Sequence, residues 1–196
     1  MITKTLTNLI HLLYPRNICA YTEKDKYLVS EEYKRLNQIV TDFDTKDRKV
    51  SSNSILEKFE NDKTLKKFAD FSLFHLKDRC MTFNVSIIEG RELYTISLFI
   101  SIIIPYYVIN VQKNMIEIFF SESEITELEN KNTETRKINE LVLEIETIIE
   151  DKFLYRKLPN KLLNFVVADI SFQDSQFGYF TMYNAFFNNV TINDGY

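Results

Sequence analysis

Met81-Thr82-Phe83-Asn84-Val85-Ser86-Ile87-Ile88 alternates apolar and polar residues along almost its whole length. Successive side chains of a strand point to opposite faces, so this pattern predicts a half-buried strand with Met81, Phe83, Val85 and Ile87 facing a core. Glu89-Gly90-Arg91 follows as a turn. The next run, Leu93 to Ile104, is apolar on both faces and predicts a central strand. Pro105 has no N–H to give a ladder, so it marks a strand end or a bulge. Tyr106 to Val111 and Met115 to Phe120 flank Gln112-Lys113-Asn114, which predicts a tight hairpin. Strands joined by such short turns run antiparallel. Phe71 to Leu76 is a further, less regular strand candidate.

Upstream of this meander the period is helical. Ile2, Leu6, Leu9, Ile10 and Leu13 share one helix face, and Tyr14-Pro15 closes it. Residues 14–29 read as loop. Ser30 is an expected N-cap, with Glu31 and Glu32 in the first turn, where the helix dipole favours acids. Tyr33, Leu36, Ile39, Val40 and Phe43 continue as an apolar stripe. The polar stretch from Asp44 to Ser54 reads as loop. Ser54-Ile55-Leu56-Glu57 has the spacing of a capping box, and a second helix is expected from there.

Downstream, residues 121–132 are acidic and polar. Ile138, Leu141, Val142, Ile145, Ile148 and Ile149 then recur at helical spacing, a stripe that should pack on the sheet. Val166, Val167 and Ile170 suggest a short strand. Tyr179 to Phe187 fits a helix face and a strand alike, and its Phe, Tyr and Thr content tips the reading to strand. The expected fold is therefore α+β. A central antiparallel β-meander of four or more strands carries N-terminal helices and one long amphipathic helix packed on it. Residues 1–196 read as a single domain: 1–70 mainly helical, 71–120 the meander, 133–154 the long helix and 160–196 an aromatic-rich segment.

Composition limits the chemistry. A chain of 196 residues with 45% hydrophobic and 27% charged residues can build a core without a disulfide or metal staple. Its net charge of −4 argues against nucleic acid as a partner, because phosphate neutralisation needs clustered Lys and Arg. The most apolar run, Ile96 to Ile109, is shorter than the roughly 20 residues of a spanning helix, so no membrane partner is expected. Cys19 and Cys80 read as free thiols, and the expected location is the cytoplasm. The wealth of Ile, Asn and Lys is typical of an AT-rich bacterial genome.

No motif with catalytic, cofactor or metal spacing is present. Gly90, Gly178 and Gly195 stand alone, so neither a P-loop nor a dinucleotide fingerprint can form. His11, His75, Cys19 and Cys80 exhaust the soft metal ligands. Arg79 beside Cys80 is the type of neighbour that lowers a thiol pKa. Glu140 with Glu144, and Glu146 with Glu150, share helix faces off the apolar stripe and read as solvated. Asp169 is a lone acid in apolar company and reads as a hydrogen-bonded structural residue.

Two features could bind a partner. The acidic tract holds Glu122, Glu124, Glu127 and Glu129, which would steer a basic protein. The aromatic end holds Tyr179, Tyr183, Phe186 and Phe187, residue types enriched at interface centres. The expected function is thus a non-enzymatic protein-binding module, in its specific form a bacterial immunity protein that neutralises a basic toxin. One alternative is a self-associating structural protein, a homo-oligomer joined through the Tyr106–Phe120 edge or the aromatic end. Another is an enzyme whose site is assembled from scattered acids, Tyr and His, with Asp169 and His75 as its first candidates. No cofactor is expected.

Overall fold

The computed structural model describes residues 2–89, 92–131, 134–173 and 175–189. Ala69–Asp70 (β1), Cys80–Glu89 (β2), Glu92–Ser101 (β3), Tyr106–Met115 (β4) and Arg156–Lys157 (β5) form one sheet in that spatial order. The pairs from β1 to β4 are antiparallel, and β5 joins β4 in parallel. The chain is α+β with a mostly antiparallel sheet.

The register sorts the side chains as the alternation requires. Phe83 pairs with Leu98, Val85 with Ile96, Leu98 with Ile109 and Ile100 with Tyr107. These residues share one face, and all but half-buried Ile109 are buried. The opposite face carries the row Asn84, Ser97, Asn110 and the row Ser86, Thr95, Gln112. The sheet therefore has one apolar face and one largely polar face.

Six helices and one long helical run surround the sheet among the described residues. Ile2–Leu13 (α1) and Lys24–Val29 (α2) come first, and the second lies inside the expected loop. Glu31–Asp42 (α3) starts at Ser30, whose Oγ accepts from the Tyr33 N–H at 3.3 Å, as an N-cap should. It continues through a π-helical turn, Phe43–Asp47, into Arg48–Phe59 (α4), making one helix of 29 residues. The expected loop at Asp44–Ser54 and the capping box at Ser54 are thus both corrected, since Ser54 lies inside α4. The polar stretch stays helical because its charges pair one turn apart: Lys46 with Asp42 at 2.6 Å, Arg48 with Asp44 at 3.1 Å.

The hairpin expected at Gln112-Lys113-Asn114 does not form. These three residues continue β4 and pair with Thr95, Tyr94 and Leu93. The reversal comes earlier, at residues 102–105, where Ser101 Oγ accepts from the N–H groups of Ile103 and Ile104. Ile116–Ile118 is a 3-10 turn rather than a strand. Phe71–Leu76 also forms no strand. β1 precedes it, and Phe74–Leu76 is a 3-10 turn.

Glu122–Lys131 (α5) is helical, with Ser121 donating from its N–H and Oγ to Glu124 at 2.8 and 2.6 Å. Ile138–Phe153 (α6) is the expected amphipathic helix and buries Ile138, Leu141, Ile145 and Ile149. Each such side chain contributes roughly 1.5–3 kcal/mol on burial. Tyr107 donates its hydroxyl to Glu150 on α6 at 2.8 Å. Asn160–Leu163 (α7) and Met182–Phe186 (α8) complete the helices. Val166 makes only an isolated bridge to Thr181, and Ile170 one to Arg16, in place of the expected short strand. At α8 the strand reading fails, because Thr181 and Asn184 cap each other reciprocally and start a helix.

Candidate functional site

The polar face of the sheet is the floor of an open groove of about 950 Å³. Asn84, Ser97, Asn110 and Gln112 lie on the floor, with Thr82 and Phe99 at its inner end. One wall is the segment that follows β1. It brings Phe71, Leu73 and Leu76, which are 54%, 42% and 55% exposed. His75, Lys77 and Asp78 share this wall, and Gln173, Asn188 and Asn189 form a second one. The site is thus rich in carboxamides, has an apolar lip and carries no excess of one charge. Carboxamides both donate and accept, so such a floor suits main-chain amides and other neutral polar groups.

Local chemistry holds the walls in place. Lys77 takes a left-handed conformation (φ 67°), and its Nζ donates to Asn37 at 2.8 Å. Ser72 Oγ accepts from the Thr82 N–H at 2.9 Å, and the Phe71 N–H donates to the Thr82 carbonyl at 2.8 Å. Gln173 donates to the Leu76 carbonyl at 3.0 Å, so the two walls touch. Burial pushes the Asp78 carboxyl up, against the opposing pull of the Arg79 charge. On the floor, Asn84 Oδ1 is screened from solvent and has no hydrogen-bond partner.

Arg79, wholly buried, sits behind the walls. Its guanidinium donates to the carbonyls of Lys77 and Asn184 and to Asn189 Oδ1, and it lies 4.8 Å from the Phe172 ring centre. Its backbone N–H donates to the Phe187 carbonyl at 2.6 Å. One arginine thereby ties the start of β2 to both segments of the second wall.

The residues singled out from the sequence fall in separate places. Glu122, Glu124, Glu127 and Glu129 are all exposed on α5. Tyr179 is 74% exposed, but Tyr183, Phe186 and Phe187 are buried. Reading those three as partner-binding residues is corrected: they complete the core, where Tyr183 stacks on Phe187 and meets Phe99 edge-on. His75 reaches the groove wall, whereas Asp169 lies with Arg16 Nε at 2.6 Å and His11 Nε2 at 3.3 Å. Burial raises the Asp169 carboxyl, and the Arg16 hydrogen bond with the His11 interaction outweighs it, leaving the group below its ordinary value. This pair fastens the Tyr14–Asn17 segment to the C-terminal part. The Asn17 N–H donates to the Asp169 carbonyl, and Tyr14 donates its hydroxyl to Ala185 at 2.6 Å.

The thiols behave oppositely. Burial pushes Cys80 up to about 12, so the expected activation by Arg79 is overruled. Hydrogen bonds from Thr22 draw Cys19 down to about 7, beside a small pocket of about 180 Å³. The four glutamates of α6 all have structural partners. Glu140 accepts from the Lys137 N–H, Glu144 meets Arg136, Glu146 meets Lys157 and Glu150 accepts from Tyr107. Among the described residues no group of three or more His, Cys, Asp or Glu could hold a metal ion, and no helix is long and apolar enough to cross a membrane.

The groove itself is absent from the sequence-level candidates. Its signal was the polar half of the β2 alternation at Thr82 and Asn84, which reads as an ordinary solvated face until the walls are in place. Compared with protein-family models, curated proteins and solved structures, the chain matches none.

Proposed function

We propose that the chain is a non-enzymatic protein-binding module whose partner seats in the groove on the polar face of the sheet. The observation that carries this reading is the composition of the groove: a carboxamide floor under a lip of exposed Phe71, Leu73 and Leu76. Apolar anchors beside satisfiable polar groups are how protein interfaces gain both affinity and register.

The specific form we propose is a cytoplasmic immunity protein acting on a basic toxin. Helix α5 supports it by presenting Glu122, Glu124, Glu127 and Glu129 to solvent, a negative surface that would speed the approach of a positive partner. The test is capture from a lysate of the source organism on immobilised wild type, Ser97→Arg and Glu122→Lys/Glu127→Lys. The arginine obstructs the groove floor, and the lysines reverse the helix charge. A protein retained by the wild type and lost with Ser97→Arg, at unchanged circular dichroism, supports the groove. Retention that is indifferent to Ser97→Arg sinks it. Indifference to the lysine variant and to salt removes the basic partner.

A further inference from the structure

Asp78 is the one acidic side chain among the described residues that line the groove. It is half-buried and lies two positions before β2. Among the described residues no lysine, arginine or histidine forms an ion pair with it, because the two cations beside it in sequence are engaged elsewhere. Lys77 Nζ donates to Asn37 on α3 at 2.8 Å. The Arg79 guanidinium donates to the carbonyls of Lys77 and Asn184 and to Asn189 Oδ1. What the Asp78 carboxyl does hold is the N–H of Leu73, on its own wall.

The surroundings of this carboxyl leave it short of positive charge. Burial raises it above its ordinary value, and the charges of Arg79 and His75 with the Leu73 N–H only partly offset that. Behind it the Cys80 thiol and the Tyr183 hydroxyl are raised chiefly by their own burial and further by the Asp78 charge. A carboxylate withdrawn from water without a cation is costly, and a cation brought to it relieves the cost.

We propose, on the reading of the groove as the partner's seat, that Asp78 is its specificity-determining residue and receives the guanidinium of an arginine carried by the partner. Charge complementarity selects a cation. The rest of the groove selects arginine over lysine. A guanidinium presents five donors in one plane, enough for both carboxylate oxygens and for carboxamide oxygens such as those of Asn110 and Gln112. The exposed Phe71 ring on the lip offers a face on which a guanidinium stacks, whereas an ammonium holds its water more strongly. Helix α5 and Asp78 then act in turn. The exposed glutamates draw a basic partner in at long range, and the carboxylate in the groove fixes which of its side chains enters.

Ethylguanidinium chloride, the tip of an arginine side chain, tests this when titrated into the wild-type chain at constant ionic strength, with ethylammonium chloride as its rival. Nuclear magnetic resonance follows the Asp78 carboxyl and the Leu73 and His75 amides. The expected result is movement of all three that saturates, with ethylguanidinium bound about fivefold more tightly than ethylammonium. The cation binds the ionised carboxyl, so near saturation the Asp78 titration should move down by about one pH unit. Asp78→Asn keeps the shape of the side chain and should weaken ethylguanidinium about tenfold. Absence of saturable movement in the wild type overturns the proposal, and so does an Asp78 titration that ignores the probe. Both are read on the wild type and need no variant to fold. Ethylammonium bound as tightly as ethylguanidinium overturns the assignment to arginine. The groove itself fails separately: a captured partner lost with Ser97→Arg but held unchanged by Asp78→Asn keeps the groove and removes the arginine.

Discussion

The backbone N–H of Arg79 donates to the carbonyl of Phe187 at 2.6 Å, across 108 positions of sequence, and the Arg79 guanidinium is buried with no carboxylate in hydrogen-bond contact among the described residues. Its charge is met by carbonyl oxygens and by the face of Phe172. Arg79→Met keeps much of the volume and leaves the carbonyls of Lys77 and Asn184 without their donors. Each buried orphan costs about 1–3 kcal/mol, so the loss should be about 3 kcal/mol in urea denaturation. Arg79→Lys should recover only part of it, because an ammonium cannot reproduce the planar fork. A loss below about 1 kcal/mol for Arg79→Met would refute the clamp.

The aromatic end gives a second contrast. Phe186 is fully buried and Tyr179 is 74% exposed. Phe186→Ala should cost about 3–5 kcal/mol, and Tyr179→Ala less than about 0.5 kcal/mol. Equal losses at the two positions would contradict the placement of α8 in the core.

How far the sequence discloses this arrangement depends on which residues carry the signal. The β2 alternation and the α6 stripe are legible because one face of each is buried in bulk apolar contact, and Ser30 is legible because capping is local. The β3–β4 reversal is not, since it runs through Ile102-Ile103-Ile104-Pro105, residues that look like strand, and its turn rests on the hydroxyl of Ser101. Gln112-Lys113-Asn114 looks like a turn because β4 runs on past the core into solvent. The groove was out of reach for a further reason. Its walls come from residues 71–78 and from Gln173, Asn188 and Asn189, and Arg79 with the Gln173–Leu76 bond brings them together.

Acid should weaken the joint before α6. Arg136 lies 2.9 Å from Asp62 and also meets Glu134 and Glu144. Its hydrogen bond holds the Glu134 carboxyl down at about 2, from an ordinary 4.5. A depressed carboxyl stabilises the fold above its unfolded pKa and ceases to do so as pH falls through the folded one. Arg136→Ala should therefore cost about 1–2 kcal/mol at pH 7, a figure reduced for the partial exposure of the cluster. The gap from wild type should narrow as pH falls from about 4.5 towards 2. Chemical denaturation at several pH values measures it, and a gap that widens in acid would refute the pairing.

Thiol labelling separates the two cysteines. Cys19, lowered to about 7, should react with iodoacetamide with a half-maximal rate near that pH. Cys80, raised to about 12 and buried, should react only on unfolding. Mass spectrometry of native protein at pH 7.5 should find the label on Cys19 alone. Rapid native labelling of Cys80 would contradict its burial.

The groove is tested most directly by nuclear magnetic resonance on isotope-labelled chain titrated with the captured partner. The side-chain amides of Asn84, Asn110 and Gln112 and the backbone amides of Ser97 and Leu76 should shift together and saturate together, and Ser97→Arg should abolish the response. Shifts confined to α5 and the exposed face of α6, with the groove amides unmoved, would contradict the groove as the binding site.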